Sequence, residues 1–282
     1  MVAPDLVIGS RRFDVHTRAL VMGILNRTPD SFYDQGLTNE LDALLRRAET
    51  LVADGADLLD VGGVKAGPGP EVTEAEELDR VVPAIAALAA RLDVPISVDT
   101  WRASVAKEAL VAGATVANDI SGFADPEYLD VAAAAGASVV ATHIRLAPRV
   151  RDPEPRYEDV VESVASFLLD RARRAEEAGI PADRIVLDAG LDLGKTAEQS
   201  RTLLRASDRL AGLGYPLLLS ASNKTFLGSL LDLAIDERGE ASLAAAALGI
   251  GLGCRVVRVH DVAGHRQVRD TLEAVLSARR PS

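Results

Sequence analysis

Cysteine occurs once in the 282 residues, at Cys254, so no intrachain disulfide can form, as expected of a reducing compartment. Basic charge is also short: 31 Lys and Arg stand against 42 Asp and Glu, a net charge of −11. A broad phosphate-neutralising face is therefore excluded, and no nucleic-acid partner is expected, although a local cationic pocket is allowed. No apolar run approaches the ~20 residues that a membrane span requires. The longest, Leu243–Cys254, is rich in Ala and Gly and belongs to the core or to an interface between copies. The first residues, Met1-Val2-Ala3-Pro4-Asp5-Leu6, lack the basic and apolar regions of a signal peptide, so a cytoplasmic protein is expected. No Gly-x-Gly-x-x-Gly opens the first helix, and no His/Cys/Asp spacing has the form of a zinc site. His16 and His265 have no partners nearby in sequence and read as surface residues.

What is present is a rhythm. Leu6–Gly9 and Arg12–His16 flank Ser10-Arg11 and read as a small N-terminal β-hairpin. Eight apolar runs follow: Leu20–Leu25, Leu58–Val61, Ile96–Asp99, Thr115–Asn118, Val139–Thr142, Ile185–Asp188, Leu217–Leu219 and Val256–Val259. Continuous hydrophobicity over three to six residues suits parallel strands covered on both faces. Amphipathic stretches alternate with them, and Thr73-Glu74-Ala75-Glu76 has the form of a capping box. Further helices are expected over Asn39–Ala53, Arg102–Ala112, Pro126–Ala135, Tyr157–Gly179, Thr196–Leu213, Ala241–Gly251 and His265–Arg279. Gly55, Gly113, Gly136, Gly179 and Gly214 fall where C-cap glycines belong. Eight βα units predict one α/β domain over residues 1–282, a (β/α)8 TIM barrel with a small N-terminal β-hairpin; a doubly wound open sheet is the alternative.

In such a barrel, ligands are met at the C-terminal ends of the strands. Those ends read Asn26, Asp60, Asp99, Asn118 with Asp119, His143, Asp188, Ser220 with Lys224, and Arg258 with His260. Any one of them has a dull explanation, since Asp, Asn and Ser are common where chains turn. Eight together do not. Asp99, Asn118, Asp188 and Lys224 offer the acceptors and donors that a flat, nitrogen-rich heterocycle needs, because each unmatched buried polar group costs about 1–3 kcal/mol. Arg258 and His260, beside Asn26, form a separate anion site, and the Asn26 amide oxygen is a candidate Mg²⁺ ligand. The chemistry points to a heterocycle with a phosphorylated tail.

The motifs carry a resemblance. In order they are Asn26-Arg27-Thr28-Pro29-Asp30-Ser31-Phe32, Asp60-Val61-Gly62-Gly63, Ser97-Val98-Asp99-Thr100, Asn118-Asp119-Ile120-Ser121-Gly122, His143, Asp188-Ala189-Gly190 with Gly194-Lys195-Thr196, Ser222-Asn223-Lys224-Thr225-Phe226, and Arg258-Val259-His260-Asp261-Val262. Over nearly its whole length the chain resembles the dihydropteroate synthase family, and in particular the diverged second paralogue of actinobacterial type. The resemblance implies that Asp99, Asn118, Asp188 and Lys224 hold a pterin. It implies that Arg258 covers the ring and, with His260 and Asn26, binds Mg²⁺-pyrophosphate. The family reaction joins a dihydropterin-methyl pyrophosphate to p-aminobenzoate, so p-aminobenzoate or a sulfa-type arylamine is the expected second partner here, and the family forms homodimers. Two mobile loops, after the first and second barrel strands, close over the reactants.

The departures from the family pattern lie in those loops. Where the family reads E-S-T-R-P-G, this chain reads Val64-Lys65-Ala66-Gly67-Pro68-Gly69. Asn223 stands in place of an Arg, Leu193 in place of an aromatic and Ala189 in place of a Pro. Comparable cations in phosphoryl transfer contribute roughly 10³–10⁵ in rate. Lys65 and Arg27 are the residues that could restore charge. The expectation is a pterin-pocket protein with weak or absent synthase activity. The alternatives are an active synthase with a rebuilt loop and a non-catalytic dimer partner or scaffold. A pterin-dependent methyltransferase would not be expected to keep the Arg258-x-His260 pair.

Overall fold

The computed structural model describes residues 5–26 and 36–277. The expectations for Arg27-Thr28-Pro29-Asp30-Ser31-Phe32 lie outside the described residues. β1 (Leu6–Ile8) and β2 (Arg11–Phe13) pair antiparallel, Ile8 opposite Arg11, so Arg11 belongs to the strand and the turn is Gly9-Ser10. Eight parallel strands then close a barrel: β3 (Leu20–Asn26), β4 (Leu58–Gly62), β5 (Ile96–Asp99), β6 (Val116–Asp119), β7 (Ser138–Thr142), β8 (Ile185–Asp188), β9 (Leu217–Leu219) and β10 (Cys254–Val259). They stand in chain order, and β10 returns to β3 with Arg258 opposite Met22.

Period-two alternation builds two cores from one sheet. Outward residues such as Val21, Leu59, Val98, Ala117, Leu187 and Val257 pack under the helices. Inward residues Leu20, Met22, Leu58, Val116, Val140, Val186, Leu218 and Val256 form a separate cluster inside the barrel. Leu6, Ile8 and Val15 of the hairpin join that cluster. The Ser138 hydroxyl donates to Val7 O at 2.6 Å and Arg184 Nη2 to Gly9 O at 3.0 Å, so the hairpin stoppers one end of the barrel. Each strand's next inward position lies two residues on, toward the open end. Leu58 is followed by Asp60, Val116 by Asn118, Val186 by Asp188 and Val256 by Arg258. A polar layer therefore rests directly on an aliphatic floor.

The surrounding helices are α1 (Gly36–Ala53), α2 (Glu74–Arg91), α3 (Ala103–Val111), α4 (Tyr128–Ala134), α5 (Val160–Glu177), α6 (Ala197–Arg205), α7 (Ser207–Ala211), α8 (Thr225–Leu231), α9 (Gly239–Gly251) and α10 (Val262–Ser277). The Thr73 capping box forms, with Thr73 N donating to Glu76 Oε2 at 2.8 Å and its hydroxyl accepting from Glu76 N at 3.3 Å. The single helix expected over Thr196–Leu213 is two, α6 and α7. Ala206 leaves helical geometry at φ −94°, ψ 17°, and the buried Ser207 hydroxyl donates to Leu204 O at 2.8 Å, a local bond that competes with the helix ladder. α8 was not anticipated; it begins inside the Ser222–Phe226 motif and stops at Asp232 in left-handed geometry, φ 54°. His265 is a correction: it is buried, not on the surface, and its Nδ1 lies 2.6 Å from Asp261 O. Cys254 is a buried core residue whose thiol burial pushes up to about 12. No helix of the described residues is long and apolar enough to cross a membrane.

The inward cluster supports both the hairpin and the polar layer. Leu58→Ala, at the centre of that cluster, is expected to lower unfolding free energy by about 2–5 kcal/mol, as measured by urea denaturation followed by far-UV circular dichroism.

Candidate functional site

The open end of the barrel holds a narrow cavity of about 60 Å³ lined by Asp99, Asn118, Asp188, Lys224 and Arg258, with Ala66 on its rim. Five of the residues singled out from sequence thus converge. His260 and Asn26 do not line it. His260, one turn of strand beyond Arg258, pairs its Nδ1 with the Ser222 hydroxyl at 3.0 Å. Asn26 ends β3 opposite Gly62. Gly62 has no side chain, and the place its Cβ would take lies 3.7 Å from Asn26 Oδ1 and 3.6 Å from Asp99 Oδ2. A larger residue there would separate the Asn26 amide from the pocket carboxylate.

Arg258 is the centre of the charge network. Its Nε donates to Asp60 Oδ2 at 2.6 Å and its Nη2 to Asp99 Oδ2 at 2.7 Å. Asn118 Nδ2 also donates to Asp60, at 3.3 Å to Oδ1. Asp60, a strand end that the sequence reading assigned no binding role, is fully buried and anchors both. Burial raises Asp99 to about 7 against the opposing pull of Arg258. Burial also raises Asp188, whose Oδ1 accepts from Gly190 N at 2.8 Å. Lys224 is lowered, chiefly by burial. His260 is lowered to about 4 by burial and by the charges of Arg258 and Lys224, so it is neutral near pH 7. The set offers carboxylate and amide acceptors for ring N–H groups, an ammonium for a carbonyl or ring nitrogen, and a guanidinium with a planar face.

The walls contain groups that sequence reading did not foresee. Lys195 is buried, and its Nζ reaches His143 Nδ1 at 2.9 Å, Gly190 O at 2.8 Å, Leu193 O at 3.0 Å and His143 O at 3.2 Å. One ammonium thereby ties the end of β7 to the loop after β8. Gly190 is required beside it: φ is +65°, and a Cβ would stand 2.0 Å from His143 O. The signal available in sequence is the Gly194-Lys195-Thr196 motif, whose last residue opens the helix expected over Thr196–Leu213. Thr196 does cap α6, with its hydroxyl accepting from Gln199 N at 3.1 Å. Asn223 is left-handed at φ 57°, a geometry that Asn tolerates better than Arg, and Arg238 Nη1 donates to its carbonyl at 3.1 Å. Gly67 has open space where a side chain would project. Among the described residues, one His and carboxylate group has metal-ligand proximity: Asp5, Asp14 and His16. It lies by the hairpin, away from the mouth, and His16 Nδ1 is 2.8 Å from Asp14 Oδ1. His16 therefore has partners that the sequence did not reveal.

A closed parallel barrel with paired acids, an amide and two cations converging at its C-terminal mouth defines a (β/α)8 protein built to hold a small, polar, hydrogen-bonding ligand. The chain belongs to the pterin binding enzyme family, whose model matches residues 22–260. It is 42% identical over 262 residues to the dihydropteroate synthase of Bacillus subtilis, covering 92% of this chain and 90% of that protein. It is 44% identical over 271 residues to the inactive dihydropteroate synthase 2 of Mycobacterium leprae, covering 94% and 93%. Among solved structures, Yersinia pestis dihydropteroate synthase with a sulfonamide drug superposes with a TM-score of 0.90 at 38% identity, over 98% of this chain and 100% of that one. The protein is thus dihydropteroate synthase-like, with relatives that include both synthases and inactive paralogues.

Burial fixes an acid response. His143 is lowered to about 3 by desolvation and the Lys195 charge, whereas an unfolded-chain histidine titrates near 6.5. Between those values the unfolded state binds a proton that the folded state refuses, so this contribution to stability falls as pH falls. Asp99 and Asp119, raised to about 7 and about 6, act oppositely over part of the range. His143→Gln isolates the histidine: its urea midpoint is expected to decline less between pH 6.5 and 4 than that of the parent.

Proposed function

We propose that the protein binds a dihydropterin-methyl diphosphate at the barrel mouth and that its dihydropteroate synthase activity is weak or absent. The convergence of Asp99, Asn118, Asp188, Lys224 and Arg258 on one cavity carries the binding half. Asp188 and Asn118 accept and donate along the amino-pyrimidinone edge, Asp99 takes a ring N–H, and Lys224 faces the ring's acceptor side. Arg258 leaves Asp99 to lie against the ring and the diphosphate, with neutral His260 donating at the rim.

In the family reaction the bond between the pterin methylene carbon and the diphosphate oxygen breaks, and both electrons leave with diphosphate. The p-aminobenzoate nitrogen forms the new C–N bond and loses one proton. Catalysis of such a step rests on stabilising charge that develops on the leaving group and on positioning a weak nucleophile. The rim residues for both tasks are reduced here. Ala66 presents a methyl at the cavity where the family has a Thr hydroxyl, and Gly67 presents no side chain where it has an Arg. Mg²⁺ fits the donor chemistry: the Asn26 amide is one hard oxygen near Asp99, and the ion would take its other oxygens from the diphosphate and water. When bound it would supply positive charge to the leaving diphosphate. A working synthase is the second reading, supported by the complete floor. A sulfonamide seated in the Yersinia pestis relative makes arylamines the class to test at the second position. Homodimer formation in a cytoplasmic setting is part of the proposal, supported by exposed Leu231, Ile235, Leu248 and Val275 on and near α8 to α10.

The deciding measurement is steady-state dihydropteroate formation with Mg²⁺. Turnover is expected far below the ~10 s⁻¹ of an ordinary enzyme, and a value near that would sink the reading of weak activity. Ala66→Thr with Gly67→Arg is expected to raise turnover; Asn223→Arg is a poorer addition because φ 57° disfavours Arg. Calorimetry with the pterin diphosphate should show at least tenfold weaker binding for Asp188→Asn, since a charged hydrogen-bond acceptor contributes about 1.5–3 kcal/mol. No binding to the parent protein at millimolar ligand would overturn the pocket assignment and favour a scaffold role.

A further inference from the structure

The loop between β4 and α2, residues 63–73, passes over the mouth and contributes Ala66 to the cavity wall. Its two ends are gripped locally. Arg80 Nη1 donates to Gly63 O at 2.9 Å, and Arg102 Nη2 donates to Val72 O at 2.8 Å. Its middle is gripped from across the mouth by one residue of the loop after β7. Arg149 N donates to Ala66 O at 3.0 Å, its Nη1 to Lys65 O at 3.1 Å, and its Nη2 to Pro70 O. Arg149 holds this position in left-handed backbone geometry, φ 66°, which a non-glycine residue adopts at a cost that its contacts must offset.

The post that carries Arg149 is itself fixed. Arg145 Nη2 bonds Asp152 Oδ1 at 2.7 Å, and the Tyr157 hydroxyl donates to Gly194 O at 2.8 Å. Lys195 binds His143 at the base of the same loop. The clamp therefore joins a rigid support to the middle of the loop. Beneath it the cavity measures only about 60 Å³, against the ~300–1,000 Å³ typical of small-molecule sites. A bicyclic ligand cannot enter without displacement of a covering group, and Ala66 is on the loop that Arg149 holds.

We propose that Arg149 is a latch: it holds the loop after β4 down over the pocket, and its release sets the rate at which ligand enters and leaves. The guanidinium fork and the residue's own amide act on three carbonyls of the lid, those of Lys65, Ala66 and Pro70, so the lid opens as a unit when they let go. Arg149 is a positioning residue and touches no reacting atom. The kinetic arm rests on the pterin reading above; the exchange arm needs no ligand.

Two measurements test the latch on the full-length protein, with Arg149→Ala and Arg149→Lys as variants. Hydrogen exchange at the backbone amide of residue 149, the donor to Ala66 O, followed by mass spectrometry without ligand, is expected to quicken on the order of tenfold in Arg149→Ala. Arg149→Lys should fall between it and the parent, since an ammonium lacks the fork. Exchange in β5, β6 and β8 should be unchanged, which separates a local latch from general destabilisation. Stopped-flow fluorescence with 6-hydroxymethylpterin as probe is expected to show both association and dissociation severalfold faster in Arg149→Ala, with affinity changed less than either rate. Unchanged exchange at the amide of residue 149 would overturn the latch outright. Quickened exchange with unaltered binding rates would overturn its role in entry. A probe that fails to bind the parent protein would count against the pterin pocket and leave the exchange result to decide the latch.

Discussion

The Arg258 guanidinium lies between two carboxylates, Asp60 and Asp99, at the mouth of a barrel whose interior is otherwise aliphatic. Such a cluster is affordable only when each charge has a partner, because an unpaired buried ion is costly by several kcal/mol. Asp60 is wholly buried and accepts from both Arg258 and Asn118, so it has no solvent to fall back on. Asp99 differs: it sits at the cavity, and a ligand can replace Arg258 as its partner. The network thus has a permanent member and an exchangeable one. That asymmetry allows a ligand to be admitted without leaving a buried charge alone.

The network exists where it does because of strand periodicity. Parallel strands covered by helices outside and filled by side chains inside have every residue buried, and the inward set changes from apolar to polar in one step along the strand. Val256 to Arg258 and Val186 to Asp188 make that step on neighbouring sides of β9. The hairpin then decides which end can be open. By adding Leu6, Ile8 and Val15 to the inner cluster, it completes the apolar end, while the polar end opens on the cavity lined by Asp99, Asn118, Asp188, Lys224 and Arg258.

This logic explains what could be read from sequence. The eight strands were legible to within two residues because buried parallel strands are continuous apolar runs, and the Thr73 cap was legible because both partners lie three residues apart. The floor residues followed from being the last polar letters of those runs. Pairings that span the fold were not legible. Lys195 and His143 are 52 residues apart, and Arg149 and Lys65 are 84 apart; nothing local marks either. His265 has the same cause: its burial is decided by which helix face meets the barrel, not by its neighbours in the chain. The split of α6 from α7 turns on one buried hydroxyl, too small a feature for periodicity to reveal.

Kinship alone leaves catalysis open for a physical reason. The chain is about equally similar to a synthase and to an inactive paralogue, 42% and 44% identical, because the bulk of the sequence specifies barrel and floor. On the proposed reading, floor contacts to a pterin are the same before and during reaction, and interactions of equal strength in both states lower the dissociation constant without lowering the barrier. The barrier responds to groups that meet charge only as the bond breaks, and those belong to the rim. Here the rim loop offers Ala66 and Gly67, and its carbonyls are engaged by Arg149. A guanidinium committed to the lid's own backbone is spending its hydrogen bonds on closure rather than on a leaving group. Binding and chemistry can therefore diverge in this fold by changes confined to a few loop positions while the pocket beneath them stays whole.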